Sequence, residues 1–464
     1  MPARRIRVDP AAALRGGFEA IRREAGVSGD FPAAAQAEAS AAAAAPPGAG
    51  TPGDRVDLPF ITIDPLGARD LDQTLHIARR GDGHRVSYAI ADVGAFVAAG
   101  GALDRESHAR GVTVYAPDRK APLHPPVLSE DAASLLPGRW RPAVLWTLDL
   151  DATGALTAAH VARATVRSTA QHTYADVPAD AAALLAEVGE RRMALERRRG
   201  GVRLAVPEQE VVRRDGTWTV DYRVPLAAED HNAQVSLLTG MAAADLMLGA
   251  GIGILRTQPQ PDERALTRLR RAARALGVDW PAAESYPDFV RRLDPARPAH
   301  AALMHEAAGV GRGAGYTVFD GAPPPDAEHF AIAAAYAHAT APLRRLQDRY
   351  VSECCLAAGA GTPVPAWVRA GLPALPAAMA AGAHRAGVVE RGIIDLVEAT
   401  VLKGRVGERF AGVLIDEGLV QLRDPAVRAR VAPAGPGGPE PGTEVAVRLD
   451  AADPATRTVA FSLA

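Results

Sequence analysis

The spacing of apolar and polar residues divides the chain into three zones, and the first of them is helical. Apolar side chains recur at helical spacing over Pro10–Glu24, directly behind a proline, and a second helix is predicted over residues 31–45. We therefore predict a small helical module over residues 1–50, of which a helix-turn-helix is one form. A frayed tail is the alternative, because residues 33–45 are mostly alanine.

The middle zone, residues 51–402, has strand patterns first and helix patterns later. Short apolar runs bounded by turn residues predict strands at 60–63, 74–78, 85–90, 112–115 and 143–150. Longer periodic stretches predict helices at 233–248, 266–276, 331–356 and 377–402. This order predicts an α+β body in which the mostly apolar helix at 233–248 is central.

The last zone, residues 403–464, returns to short alternating strands. They are predicted at 410–415, 419–422, 444–449 and 458–463, with a loop rich in proline and glycine at 433–442. Strands this short favour a small β-barrel of the OB type. A chain of 464 residues is long enough for three such domains.

Composition excludes several classes of protein. A hydrophobic fraction of 48% with two cysteines excludes a collagen, a disulfide-rich miniprotein and a chain disordered throughout. The longest apolar run, 241–255, is shorter than a membrane span and carries Asp245, and Arg15 interrupts the run that a signal peptide needs. Cys354 and Cys355 are adjacent, which disfavours a disulfide between them. We expect reduced thiols, a cytoplasmic location and no membrane partner.

The charge of the chain leaves its partner open. There are 52 basic and 54 acidic residues, a net charge of −2, which argues against a general nucleic-acid coat. Only Lys120 and Lys403 are lysines, so 52 − 2 = 50 of the cations are arginines, which genomic base composition also explains. Five arginines near the N-terminus either contact phosphates or form a solvated face: Arg4, Arg5, Arg7, Arg22 and Arg23.

The segment with the clearest chemistry is ITIDPLGARDLDQTL, which begins in a predicted strand. It places Asp64, Asp70 and Asp72 within nine residues. Mg²⁺ is bound through carboxylates, waters and substrate phosphate, and converging carboxylates repel each other unless a cation neutralises them. The segment therefore predicts a metal site, with a solvated turn as the alternative.

Four ordered blocks of sequence around this segment resemble the ribonuclease II/ribonuclease R family, whose catalytic body is the RNB domain. The first is FITIDPLGARDLDQTLHI followed by YAIADVGAFV, and the second is ARGVTVYAPDRKAPLHPPVLSEDAASLLPGRWRPAV. The third and fourth are YAHATAPLRRLQDRYV and HRAGVVERGIIDLV. The resemblance covers residues 56–402, and the final barrel resembles the family's S1-like domain.

The resemblance implies both an architecture and an activity. The architecture is an RNB-type body with a helical N-terminal module and a C-terminal S1-like OB barrel. The activity is processive 3′-to-5′ hydrolysis of single-stranded RNA to nucleoside 5′-monophosphates, with Mg²⁺, or alternatively Mn²⁺, as cofactor. The partner is the 3′ end of single-stranded RNA, and the protein is expected to be a monomer. The family's two N-terminal cold-shock domains do not fit into 50 helix-like residues, so a short form without them is expected.

The same resemblance implies roles for the acidic segment. Asp64, Asp70 and Asp72 fall on the family's first three catalytic aspartates and would hold the metal ion, with Asp70 and Asp72 also taking part in catalysis. Gln73 stands where the family has a fourth aspartate. A neutral amide in this catalytic position predicts weaker binding of a second metal ion, or a hydrogen bond to a metal-bound water.

Three residues further along the chain receive roles in binding RNA. Arg344 falls on the arginine that touches the scissile phosphate, so its role is also catalytic. Tyr115 falls on the aromatic residue that stacks on the 3′-terminal nucleotide, and Glu390 on a channel glutamate near the terminal bases. The alternatives are a surface cation for Arg344, a core aromatic for Tyr115 and a helix-face ion pair for Glu390.

Departures from the family's pattern keep two other functions open. Besides Gln73, they fall at Ala341, Leu346, Ser352, and the pair Ala233 and Gln234. Because they lie in functional blocks, an attenuated or catalytically inactive RNA-binding regulator is one alternative. An oligomeric scaffold without an RNA role is the other, resting on the near-zero net charge.

Overall fold

The N-terminal zone forms two helices that pack on the rest of the molecule. The computed structural model describes residues 10–45, 53–204, 208–214, 216–223, 225–432 and 438–464. Helix α1 spans Pro10–Glu24 and helix α2 spans Ala33–Ala44, so both predicted helices are confirmed. The Phe18 ring of α1 packs edge-on against Trp218, with ring centroids 5.8 Å apart. Ala35 and Ala39 of the alanine-rich α2 are buried as well, which contradicts the alternative of a frayed tail.

Five strands after the helices close into a β-barrel. They are β1 (Asp54–Ile63), β2 (Gln73–Arg80), β3 (Gly83–Ala91), β4 (Trp140–Leu150) and β5 (Leu156–His172). Neighbours are antiparallel, except that β5 returns to pair with β1 in parallel. Fully buried Tyr88 and Trp146 pack in the hydrophobic cluster that the barrel shares with the helices of the body, and the Tyr88 hydroxyl lies 3.0 Å from Oγ of Ser236. Helix α3 (Ala102–Arg110) lies between β3 and β4, and its first N–H groups, those of Ala102 and Leu103, donate to Glu38 of α2 at 2.7 and 2.9 Å.

The helices of the body follow the first barrel. They are α4 (Ala179–Arg199), α5 (Ala227–Ala250), α6 (Glu263–Ala275), α7 (Tyr286–Arg291), α8 (Pro298–Ala308), α9 (Leu346–Ala360), α10 (Ala366–Gly371) and α11 (Leu375–Leu402). Three two-stranded ribbons lie among them: β6 (Glu208–Arg214) with β7 (Thr217–Arg223), β8 (Ile252–Thr257) with β9 (Gly315–Asp320), and β10 (Glu328–His329) with β11 (Ala334–Ala335).

Helix α5 is the central helix of this body. It contacts α4, β8 and α9, and it contributes Val235, Leu238 and Met247 to the largest hydrophobic cluster. By length and composition alone α5 could cross a membrane, although half of its most apolar 18-residue stretch is buried inside the fold. The helix therefore packs as a core element, as the sequence predicted.

Two predicted elements differ from the structure, and prolines explain both. Residues 112–115 form no strand, because Val112 and Val114 make isolated bridges to two separate partners, Arg345 and Ala121. Pro117 and Pro122 lack the N–H groups that a longer ladder needs. The helix predicted over 331–356 begins only at Leu346; Pro342 disfavours the helical conformation at Ala341 and so interrupts the predicted stretch.

The C-terminal zone closes into a second five-stranded barrel, as predicted. Its strands are β12 (Arg409–Asp416), β13 (Leu419–Leu422), β14 (Arg428–Val431), β15 (Glu444–Asp453) and β16 (Thr458–Leu463). Four of the five were predicted; the exception is β14, whose sequence RARV carries only two apolar residues. Part of the predicted loop, 433–437, lies outside the described residues. The α+β fold class with a terminal OB-type barrel is thereby confirmed.

Candidate active site

The loop that carries the three aspartates, residues 64–72, joins β1 to β2. Gly67 has a φ of +81°, in the left-handed region that glycine adopts without strain, and it lets the chain reverse there. Ser134 holds the second half of the loop: its Oγ accepts the N–H of Leu71 at 3.0 Å and donates to the carbonyl of Arg69 at 2.6 Å. The loop is thus fixed by its backbone, which leaves the aspartate side chains available for the site.

Asp72 and Arg344 meet at the centre of the site. The Asp72 side chain is only 3% exposed, and its Oδ1 accepts the N–H of Leu343 at 2.7 Å. Its Oδ2 accepts the Nε–H of Arg344 at 3.2 Å. Burial raises the pKa of the Asp72 carboxyl to about 7, although Arg344 and the Leu343 N–H oppose the shift. Two residues predicted from distant blocks therefore form one charged pair.

A buried ion pair shapes the turn that presents Arg344. Asp348 is fully buried; its Oδ1 accepts the N–H of Ala341 at 2.7 Å, and both its oxygens accept from the Arg345 guanidinium, at 2.7 and 2.9 Å. With the turn held in this way, 46% of the Arg344 side chain stays exposed. The guanidinium has five N–H donors, so those not used by Asp72 can bind a phosphate oxygen.

Asp70 is held by two donors from the following segment. Its Oδ2 accepts the hydroxyl of Tyr115 at 2.9 Å, and its Oδ1 accepts the Nζ of Lys120 at 2.6 Å. Burial, with the negative charge of Asp70, raises the pKa of the Tyr115 hydroxyl, which keeps it protonated as a donor. Tyr115 remains 51% exposed, so it is accessible for stacking and is not a core aromatic.

Asp64 is the aspartate best suited to bind a cation. Burial raises its pKa to about 6, with Arg344 opposing and Asp70 adding to the shift, and no side-chain hydrogen bond is made to it in the described part of the chain. Both oxygens of Asp70 and of Asp72 already accept hydrogen bonds. Across the described ranges, no group of three or more His, Cys, Asp or Glu side chains is arranged to hold a metal ion.

The donor set nevertheless fits one divalent cation. Mg²⁺ commonly uses one or two protein carboxylates, with waters and a substrate phosphate completing its shell. Asp64 supplies one such carboxylate, and Asp70 can supply a second when one of its donors is displaced. The site with all three aspartates as ligands stays a prediction.

A cleft of about 760 Å³ opens beside the charged pair. Its lining includes Gln73, Thr340 and Arg344, together with Arg203 and Arg223. The Nε2 of Gln73 donates to the carbonyl of Thr340. Gln73 thus ties strand β2 to the turn that presents the arginine.

Two other predicted groups lie apart from this centre. Glu390 is exposed on α11, and within the described residues no hydrogen bond or ion pair joins it to the site. Its neighbour Val389 packs in the same cluster as Val114, next to Tyr115. Arg22 is 3% exposed and paired with Asp118 at 2.6 Å, so it is not a phosphate ligand. Three further arginines lie outside the described residues: Arg4, Arg5 and Arg7.

The sequence interpretation missed three supporting residues. Arg345 and Asp348 were visible as a charged pair three apart, a spacing at which side chains in a helix or turn meet. Lys120 carried a weaker signal: it is one of two lysines in a chain that otherwise uses arginine, and it lies inside the second block.

Comparison with known proteins agrees with this geometry. The RNB domain model matches residues 54–358, and the RNase II-type exonuclease C-terminal S1 domain matches residues 395–464. Ribonuclease R of Escherichia coli is 27% identical over 64% of this chain and 39% of its own length. Ribonuclease R of Aquifex aeolicus is 28% identical over 76% of this chain and 53% of its own. The chain thus spans at most about half of these two relatives.

Solved structures share the fold. RNase R of Mycoplasma genitalium, solved with ribose-methylated single-stranded RNA, superimposes with a TM-score of 0.86 over 98% of this chain and 78% of its own, at 16% identity. Yeast Ssd1, described as a pseudonuclease, superimposes with a TM-score of 0.71 over 90% of this chain and 55% of its own, at 15% identity. The RNB match covers more than half of the chain, and the chain therefore belongs to the RNB family, with a C-terminal S1 domain of the RNase II type.

Proposed function

We propose that this protein is a 3′-to-5′ exoribonuclease that hydrolyses single-stranded RNA processively to nucleoside 5′-monophosphates. The observation that carries the proposal is the ion pair between buried Asp72 and half-exposed Arg344, beside Asp64 and at the edge of a cleft. Family membership supports the reaction class, and the cytoplasmic location and monomeric state are part of the same proposal.

The protein's own residues bind and orient the scissile phosphate. Arg344 is fixed through its Nε by Asp72, so its remaining N–H groups face the cleft without further ordering and bind the phosphoryl oxygens as their charge increases. Tyr115 offers its ring to the terminal base, a contact typically worth about 1–3 kcal/mol. A divalent cation held by Asp64, with Asp70, would supply Lewis-acid polarisation of the phosphate and an acidified water.

A labelled RNA tests this proposal directly. We expect a 5′-labelled poly(A) oligomer to be shortened from its 3′ end to a short limit product in Mg²⁺, with nucleoside 5′-monophosphates released and no cleavage in EDTA. A large excess of unlabelled RNA added after binding should leave the cleavage of bound strands unchanged if the reaction is processive. RNA that stays intact after prolonged incubation in either Mg²⁺ or Mn²⁺ contradicts the proposal.

One observation favours the alternative of a catalytically inactive RNA-binding regulator. The Gln73 side chain is committed to Thr340 and offers its donor to a carbonyl, so this position supplies no charge to a metal site. Under this alternative the protein binds single-stranded RNA with a steep salt dependence but leaves it intact.

The substitution Gln73→Asp separates the two functions. A carboxylate cannot donate to the Thr340 carbonyl, so we expect the free energy of unfolding to fall by roughly 1–3 kcal/mol and hydrolysis not to increase. Urea unfolding and initial rates measure the two effects, and Gln73→Met is the control that removes the donor without adding charge. Strong activity gained by Gln73→Asp from an inert parent would instead identify a regulator.

A further inference from the structure

A lysine is bound inside the acidic site, where the aspartates were expected to meet only a metal ion. The Lys120 Nζ lies 2.6 Å from Oδ1 of Asp70 and 3.1 Å from Oε1 of Glu130. The side chains of Lys120 and Asp70 are 21% and 12% exposed, so the pair is largely withdrawn from solvent. A contact this short and this shielded is stronger than a surface ion pair.

The position of Lys120 is fixed on both sides. The preceding Val114 and the following Ala121 exchange backbone hydrogen bonds of 2.9 and 2.7 Å, which closes the segment into a tight loop. Asp118 in this loop is paired with buried Arg22 of helix α1 at 2.6 Å. Lys120 is thus presented by a braced loop, unlike a flexible surface lysine.

Both oxygens of Asp70 accept a hydrogen bond without any metal ion. Lys120 occupies one carboxylate oxygen and the Tyr115 hydroxyl occupies the other. A divalent cation that takes Asp70 as a ligand competes with the ammonium group for the negative charge of the carboxylate, and it meets the repulsion of a positive charge a few ångströms away.

We propose that Lys120 is a positioning residue that neutralises Asp70 in place of a divalent cation, so that Asp70 orients Tyr115 and the metal requirement of the site falls to a single weakly bound ion near Asp64. This inference rests on the proposed function for its catalytic meaning. The glutamine at position 73, where the family has a fourth aspartate, is consistent with this role. A site in which a singly charged ammonium group replaces a divalent cation needs less negative charge.

Binding of Mn²⁺ to the full chain without RNA tests the inference independently of hydrolysis. Titration calorimetry, with electron paramagnetic resonance to count free Mn²⁺, should show that Lys120→Met binds Mn²⁺ roughly tenfold more tightly, the scale of one close charge interaction. Lys120→Arg should keep the wild-type affinity, since it retains the charge at Asp70.

Arg119→Met is the matched control, because Arg119 is the neighbouring cation of the same loop and pairs with Glu19, without touching Asp70. Its Mn²⁺ affinity should stay within about twofold of wild type, as expected for an exposed ion pair. An equal gain in Arg119→Met and Lys120→Met would show a general charge effect and would overturn the inference.

A double-mutant cycle tests whether Lys120 affects Mn²⁺ binding through its contact with Asp70. In an Asp70→Asn background, Lys120→Met should no longer tighten Mn²⁺ binding, since the two residues act through one contact. Unchanged or weaker Mn²⁺ binding by Lys120→Met in a protein whose circular dichroism spectrum matches wild type overturns the inference, even if the enzyme degrades RNA. If the wild type fails to degrade RNA but the predicted Mn²⁺ pattern holds, the proposed function fails and the role of Lys120 stands.

Discussion

Substitution of Asp72 by Asn is expected to lower the rate of RNA hydrolysis by roughly 10³-fold, as for loss of a group that acts on the developing charge. Asp72 is the counter-ion that fixes the Arg344 guanidinium, and an amide supplies no charge and only one acceptor oxygen for the two donors, the Leu343 N–H and the Arg344 Nε–H. RNA binding should persist, because the remaining cleft residues are unchanged. Single-turnover rates and filter binding measure the two effects, and full activity in Asp72→Asn contradicts the assignment.

The same substitution should stabilise the free protein, and more so at high pH. Burial raises the pKa of Asp72 from 3.8 to about 7, so the folded protein holds a proton that the unfolded chain releases above about pH 4. The free energy by which the buried Asp72 carboxyl destabilises the folded protein therefore grows from about pH 4 to about pH 7 and then stays constant.

An asparagine carries no such cost. We expect the gain in unfolding free energy to be larger at pH 8 than at pH 5 by roughly 1–3 kcal/mol, the value of one to two pKa units. Urea unfolding at the two pH values, in the absence of divalent cations, measures it. An equal gain at both pH values would show that the pKa of the Asp72 carboxyl is not raised in the folded protein.

Methionine substitutions at two adjacent arginines should have opposite consequences. Arg344→Met should slow hydrolysis by roughly 10²–10³-fold, since it removes the phosphate contact. Its effect on stability should be small at pH 6, because the Asp72 carboxyl left behind can take up a proton. Arg345→Met, in contrast, leaves fully buried Asp348 without its cation and should cost roughly 3–5 kcal/mol of stability.

Each of these variants is the control for the other, since the same side chain is introduced one position apart. Chemical unfolding and single-turnover hydrolysis on both proteins give a two-by-two comparison. If Arg344→Met unfolds as easily as Arg345→Met, then Arg344 is a structural cation and its proposed contact with phosphate is wrong.

Local patterns predicted much of the fold because they act within one element. The helix Pro10–Glu24 and the last strand Thr458–Leu463 were predicted to the residue, since proline placement and alternation decide them. Closure of the first barrel was not predicted. It depends on the parallel pairing of Phe60 with Ser168, two residues brought together only by the tertiary fold.

In the candidate site, too, local sequence patterns were predictable and tertiary contacts were not. The aspartate loop was recognisable because three carboxylates within nine residues are chemically conspicuous. The helix break at Pro342 was overlooked, although it produces the turn that returns Arg344 to Asp72. The role of Lys120 could not be predicted, because its contact with Asp70 spans 50 positions and no periodic pattern connects them.

Helix α1 has a consequence for how the protein can be divided experimentally. Through Arg22 and Asp118 it braces the loop that carries Tyr115 and Lys120. A shortened chain that starts at residue 54, where the family match begins, would keep the three aspartates of the site and yet lose this brace. The fragment that the family match delimits therefore lacks part of what holds the reaction centre in place. Expression boundaries should include helix α1.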